Sequence, residues 1–151
     1  MDTLVKKSLY SDDVYQRCLA RIGKLTPETQ PQRGSMSAAQ MLAHCAEIQE
    51  VTNGKALENT PFMVKLFKGM IRKMVVNEKP YPKNTRTHPQ YKQTTEQDFE
   101  TEKGRLLGAL AQFIEDEGTP GKHPLFGAMS VEEKGWGMYK HLDHHLSQFG
   151  V

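Results

Sequence analysis

The segment KHLDHHLSQFGV, residues 140–151, gathers three of the chain's six histidines into five positions. Imidazole binds transition metals and carries protons, so the first question is which of His141, His144 and His145 can act together. Ser130 and Glu133 have capping-box spacing, which predicts a helix from there to about Phe149. Each helical residue advances about 100°. With His141 at zero, Val131, Met138, Leu142 and Phe149 fall at about 60° to 100° and mark the buried face. His145 falls near about 40°, inside that face, and His141 lies at its edge. His144 falls at roughly −60° and is expected to meet solvent. The inward pair, His141 and His145, is one turn apart, so both rings can reach one point.

A metal needs at least one more ligand, from another element. Residues 37–53 predict a second helix, opened by the capping-box pair Ser37 and Gln40 and closed by Asn53-Gly54. Met41, Leu42, Cys45, Ile48 and Thr52 form its stripe. His44 lies about 60° from Met41 and about 40° from Ile48, at the stripe's edge. Three imidazoles on two facing helices match a His₃ site with an open position, the arrangement catalytic zinc uses. Imidazole suits zinc, nickel, copper and iron alike. Neutral ligands leave the ion's charge uncompensated, so water or a thiol bound there would lose its proton readily. The plainer alternative is that each histidine is simply hydrogen-bonded at the core edge.

Glu47, three residues after His44, leans to the same side. It is the candidate catalytic residue: it could orient a ligand, accept a proton, or stand in a surface ion pair. Gln148, at about −20° on the last helix, could hydrogen-bond a ligand imidazole or the helix end. Cys45 points into the core. His88 and His123 each precede a proline in a loop, where structural or solvent roles are expected, although the His88 loop could cover the site. Trp136 and Tyr139 either pack or line its mouth.

The positioning elements follow from periodicity. Residues 11–22 and about 95–115 give two more amphipathic helices, and no strand is predicted. Residues 62–76 form an amphipathic segment: Phe62, Met63, Leu66, Phe67, Met70, Ile71 and Met74 on one face, Lys65, Lys68, Arg72 and Lys73 opposite. Packing on its own domain or on a second subunit is the expectation; an anionic membrane surface is the alternative. Residues 77–93 carry three prolines and read as a long loop, the kind that forms lids and rims. The arrangement is an all-α antiparallel four-helix bundle, residues 1–151 in one domain.

Composition narrows the classes. Twenty basic and 18 acidic residues give +2, too balanced for general attraction to nucleic acid. Two cysteines, Cys18 and Cys45, do not make a disulfide framework and fit a reducing, cytoplasmic setting. No apolar run reaches the ~20 residues of a membrane span, and residues 1–10 lack a signal peptide's apolar core. There is no phosphate-binding glycine loop, no G-x-S-x-G elbow and no Cys-x-x-Cys.

MSAAQMLAHCAE on the second helix and HPLFGAMSVEEKGWGMYKHLDHHLSQFG at the end resemble the DinB-like (YfiT-like) superfamily, from about residue 10 onward, least in residues 55–93. The resemblance implies a four-helix bundle, often dimeric; the pattern of residues 62–93 adds an extra amphipathic helix and a long loop between the second and third bundle helices. It implies a divalent metal, zinc or nickel, on His44, His141 and His145; the imidazole donors themselves also leave iron open. It further implies a small-molecule substrate: relatives include transferases and isomerases using low-molecular-weight thiols, and others labelled metal-dependent hydrolases. The rival expectation is a non-enzymatic bundle that works through its basic segment 62–76.

Overall fold

The computed structural model describes residues 3–82 and 88–151. Its four long helices are α1 (Asp12–Gly23), α2 (Ala38–Thr52), α5 (Phe99–Glu115) and α6 (Val131–Gln148); two short ones, α3 (Phe62–Leu66) and α4 (Lys68–Val76), come between α2 and α5. They form an antiparallel bundle. Side-chain chemistry sets the starts. Ser37 Oγ accepts from Gln40 N at 3.1 Å while Gln40 Oε1 accepts from Ser37 N at 2.9 Å. Ser130 and Glu133 make the same pair at 3.0 Å each. Asp12 and Asp13 in the first turn of α1, and Arg21 in its last, complement the helix dipole. α5 starts at Phe99, later than periodicity suggests, because Asp98 caps it by accepting from Thr101 N at 2.9 Å.

α2 is the central element. Residues Met41 through Glu47 are all buried, because α5 covers one side while α6 and a 3₁₀ turn at Pro89–Tyr91 cover others. The core joins Ile22 of α1, Met41 and Leu42 of α2, Leu106 and Leu110 of α5, and Leu142 and Leu146 of α6. Each such side chain contributes roughly 1.5–3 kcal/mol by leaving water. Two glycines of α6 permit close crossings. A Cβ at Gly135 would lie 2.3 Å from Ser8 Oγ, and one at Gly137 would lie 3.0 Å from Val75 Cγ1. The N-terminal segment and α4 therefore reach the α6 backbone directly, and Leu9 N donates to Gly135 O at 3.0 Å.

The structure corrects three expectations. Residues 62–76 are not one helix: Phe67, at φ −100° and ψ 15°, ends α3 and starts α4. Only part of the expected apolar face packs on its own domain: Ile71 and Met74 are half-buried, and α4 lies against α6. Phe62, Met63, Leu66, Phe67 and Met70 are exposed, while Val75 approaches α6 at Gly137. A strand pair also exists: Lys122–His123 (β1) pairs antiparallel with Gly127–Ala128 (β2). It is too short for a period-2 pattern to show.

The long loop is present between α4 and α5, irregular over 77–82 and turning once through the 3₁₀ turn. Residues 83–87 of the expected loop lie outside the described residues. Among the described residues, no helix is long and apolar enough to cross a membrane.

Candidate metal centre

His44 from the middle of α2 meets His141 and His145 from the last turns of α6. His44 Nε2 lies 3.1 Å from His145 Nε2 and 3.2 Å from His141 Nε2. One ring nitrogen from each of the three lies within 4.8 Å of the others. The rings are tilted, not stacked: 51° between His44 and His141, 79° between His44 and His145, 72° between His141 and His145. Ring edges, which carry the lone pairs, therefore point to a common space.

The outer nitrogens reveal the tautomers. His44 Nδ1 sits 2.9 Å from the Tyr91 carbonyl. A carbonyl only accepts, so Nδ1 carries the proton and Nε2 is left with its lone pair. His145 Nδ1 sits 2.9 Å from Gln148 Oε1, an acceptor that keeps the proton on Nδ1 in the same way. Gln148 Nε2 in turn lies 3.3 Å from His144 Nε2. Two Nε2 lone pairs thus face each other at 3.1 Å. That contact is not a hydrogen bond, because neither side has a proton to give; it needs an electrophile between or beside the two nitrogens. The spacings are near the edge of about 3.3 Å that a tetrahedral ion with bonds of about 2.0–2.1 Å to nitrogen would require. The donor set fits a divalent transition metal.

Electrostatics keep the rings in their ligating form. Burial lowers the pKa of His44, against the hydrogen bond to Tyr91. Burial, then the neighbouring His44 and His144, takes His145 down to about 3. Burial and the three other histidines take His141 well below the ordinary value. Neutral imidazoles present lone pairs, and a charge introduced by protonation would be poorly solvated.

His144 departs from the expected solvent position. It is half-buried, with its ring 5.0 Å from His145 and 5.2 Å from Tyr81. Tyr81 also stands edge-on to His141 at 6.4 Å, so both described ends of the long loop reach the site. Lys140, nearly fully buried, lies 4.4 Å from the Tyr81 ring centre. Its ammonium donates to Met74 O and to Asn77 O and Oδ1, fastening the end of α4 to α6. Trp136 adds a bond from Nε1 to Asn77 O at 3.0 Å.

Glu47 does not stand unengaged beside the imidazoles. Its carboxylate meets Lys55 at 2.7 Å, Arg105 at 3.0 Å and Gln90 Nε2 at 3.0 Å. Burial acts to raise its pKa but is outweighed by the hydrogen bonds from Lys55 and Gln90, so the group titrates below its usual range. Such a carboxylate is a weak proton acceptor. His88 and His123 lie apart from the cluster: His88 bonds Thr60, and His123 accepts from its own turn. Cys45 is buried. The partners the sequence reading missed are Tyr91, whose backbone carbonyl carries no sequence signature, and Tyr81 and Lys140, which only the loop's path brings in.

Comparison with curated proteins and with solved structures gives no significant match. The family model of the DinB superfamily matches residues 11–149, from the cap of α1 to the end of α6, and takes in all three histidines. The chain belongs to the DinB superfamily.

Proposed function

We propose that the chain is a cytoplasmic, single-domain metalloprotein that holds one divalent ion, zinc or nickel before iron, on His44, His141 and His145, and acts on a small molecule. The observation that carries this is the pair of facing Nε2 lone pairs at 3.1 Å, with the outer nitrogens already committed to Tyr91 and Gln148. The ion would supply the positive charge that favours the deprotonated form of water or of a small thiol, serving hydrolysis or thiol transfer. The chain's own residues do the rest. Tyr91 and Gln148 orient the ligands, burial keeps them neutral, and Tyr81 with His144 walls one side of the site.

Metal analysis of protein purified without a nickel column, beside His141→Ala/His145→Ala, tests the reading. The expected result is about one ion per chain in the parent and none in the variant. Equal trace metal in both would overturn it.

The exposed face of α3 and α4 supports a second reading, that the chain works as a homodimer through this face. Phe62 is 74% exposed, and Met63, Leu66 and Met70 are each between 57% and 58% exposed. Apolar surface concentrated in nine residues is the mark of an interaction site. The competing occupant is an anionic membrane, since Lys65, Lys68 and Lys73 are exposed along the same segment.

A further inference from the structure

One side-chain amide, a residue before the carbonyl that His44 uses, spends both its N–H donors on holding a turn. Gln90 Nε2 donates to Glu47 Oε2 and to Ala56 O, both at 3.0 Å, and Gln90 Oε1 accepts from Glu58 N at 2.8 Å. The amide's orientation is unambiguous, because two acceptors face its nitrogen and one donor faces its oxygen. His88 steadies the same turn: its Nδ1 accepts from Gln90 N at 3.0 Å and its Nε2 lies 3.1 Å from Thr60 Oγ1. The next residue, Tyr91, supplies the carbonyl that accepts from His44 Nδ1–H.

These contacts close a ring. His44 and Glu47 are one turn apart on α2. Glu47 holds Gln90, one peptide links Gln90 to the Tyr91 carbonyl, and that carbonyl returns to His44. The ring is braced from outside, because Lys55 and Arg105 of α5 grip the same Glu47 carboxylate. The helix that carries the imidazole therefore also carries the anchor for the loop that orients it.

We infer that Gln90 is a positioning residue for His44: its amide holds the Tyr91 carbonyl in place and so fixes the Nδ1–H tautomer that turns the Nε2 lone pair toward His141 and His145. The inference rests on the metal site proposed above. It also gives Glu47 its role, as the anchor of this ring and not as a proton carrier. Groups of this kind behind a ligand histidine are typically worth about 10–100-fold in metal affinity.

The test uses Gln90→Met, which removes all three amide bonds at similar length, and Gln90→Glu, which keeps the acceptor for Glu58 N but loses both donors. Zinc affinity is measured by chelator competition, and the His44 tautomer by ¹⁵N NMR of the zinc-free protein. We expect affinity to fall by about 10–100-fold at unchanged stoichiometry, with the slowly exchanging His44 Nδ1–H signal lost or averaged. An unchanged tautomer, or unchanged affinity in a parent that binds zinc, would overturn the inference. A tautomer change in proteins that bind no zinc at all would overturn the metal reading and leave the positioning of His44 standing.

Discussion

The three-histidine cluster and the face of α3 and α4 are opposite solutions to the same problem of placing side chains on a helix. At the cluster the surroundings are complete. Tyr91 and Gln148 take the outer nitrogens of His44 and His145, so that only the inner Nε2 lone pairs are left facing one another. Over residues 62–70 five large apolar side chains point away from the bundle. Both groups lie on helical stripes. The difference is that α2 and α6 are enclosed by other parts of the same chain, whereas α3 and α4 have neighbours on one side only. A helical stripe says which residues travel together; what covers them depends on elements far off in sequence.

The contrast is broken most sharply by Leu66→Asp/Met70→Asp. The parent should sediment as a dimer and the variant as a monomer, with metal content and chain stability within about 0.5 kcal/mol, since neither side chain supports the monomer's core. A parent that is already monomeric would remove the dimer reading; flotation with anionic vesicles, abolished by Lys68→Glu/Arg72→Glu, would then assign the face to a lipid surface.

Arg105→Ala probes the enclosed region in the same way. Arg105 meets Glu102 at 2.8 Å and Glu47 at 3.0 Å, and those carboxylate side chains are only 10% and 11% exposed. Removing the guanidinium strands buried charge, and Lys55 compensates only Glu47. Urea denaturation should show a loss of about 2–4 kcal/mol. A loss below about 1 kcal/mol would mean that this pair of carboxylates is effectively solvated.

Much of this architecture was legible. The capping boxes at Ser37 and Ser130 place the starts of α2 and α6, and rigid helical rotation singles out His44 and His141 at the edge of a buried face and His145 inside it as positions that can converge. What was hidden has physical causes. Phe67 breaks residues 62–76 by its backbone angles, which the apolar stripe does not report. The β1–β2 pair is two residues a side, a single repeat of the period-2 pattern and too little for alternation to show. His144 is half-buried because Tyr81 arrives from the loop, and the orienting group on His44 is a main-chain carbonyl that every residue possesses.

His123 extends the comparison to a buried histidine with no cluster around it. Its Nδ1 accepts from Leu125 N at 3.0 Å and from Phe126 N at 3.2 Å, and its ring stacks on Phe126 at 4.5 Å. Protonating Nδ1 would forfeit both bonds. Burial, helped by the Lys134 charge, lowers its pKa to about 4. The unfolded chain, near about 6.5, then binds more protons than the folded one between these values. The associated stability is complete above pH 6.5 and is lost as pH falls toward 4. An asparagine can accept from the same turn through its side-chain oxygen without titrating. In chelator-treated protein, the parent should lose about 2 kcal/mol more than His123→Asn between pH 7.5 and pH 4.5 by urea denaturation. The slopes contributed by the five other lowered histidines of the site and its loop are common to both proteins and cancel. Parallel curves would mean that the turn around His123 opens before the ring takes up its proton, leaving the histidine cluster as the acid-sensitive part of the fold.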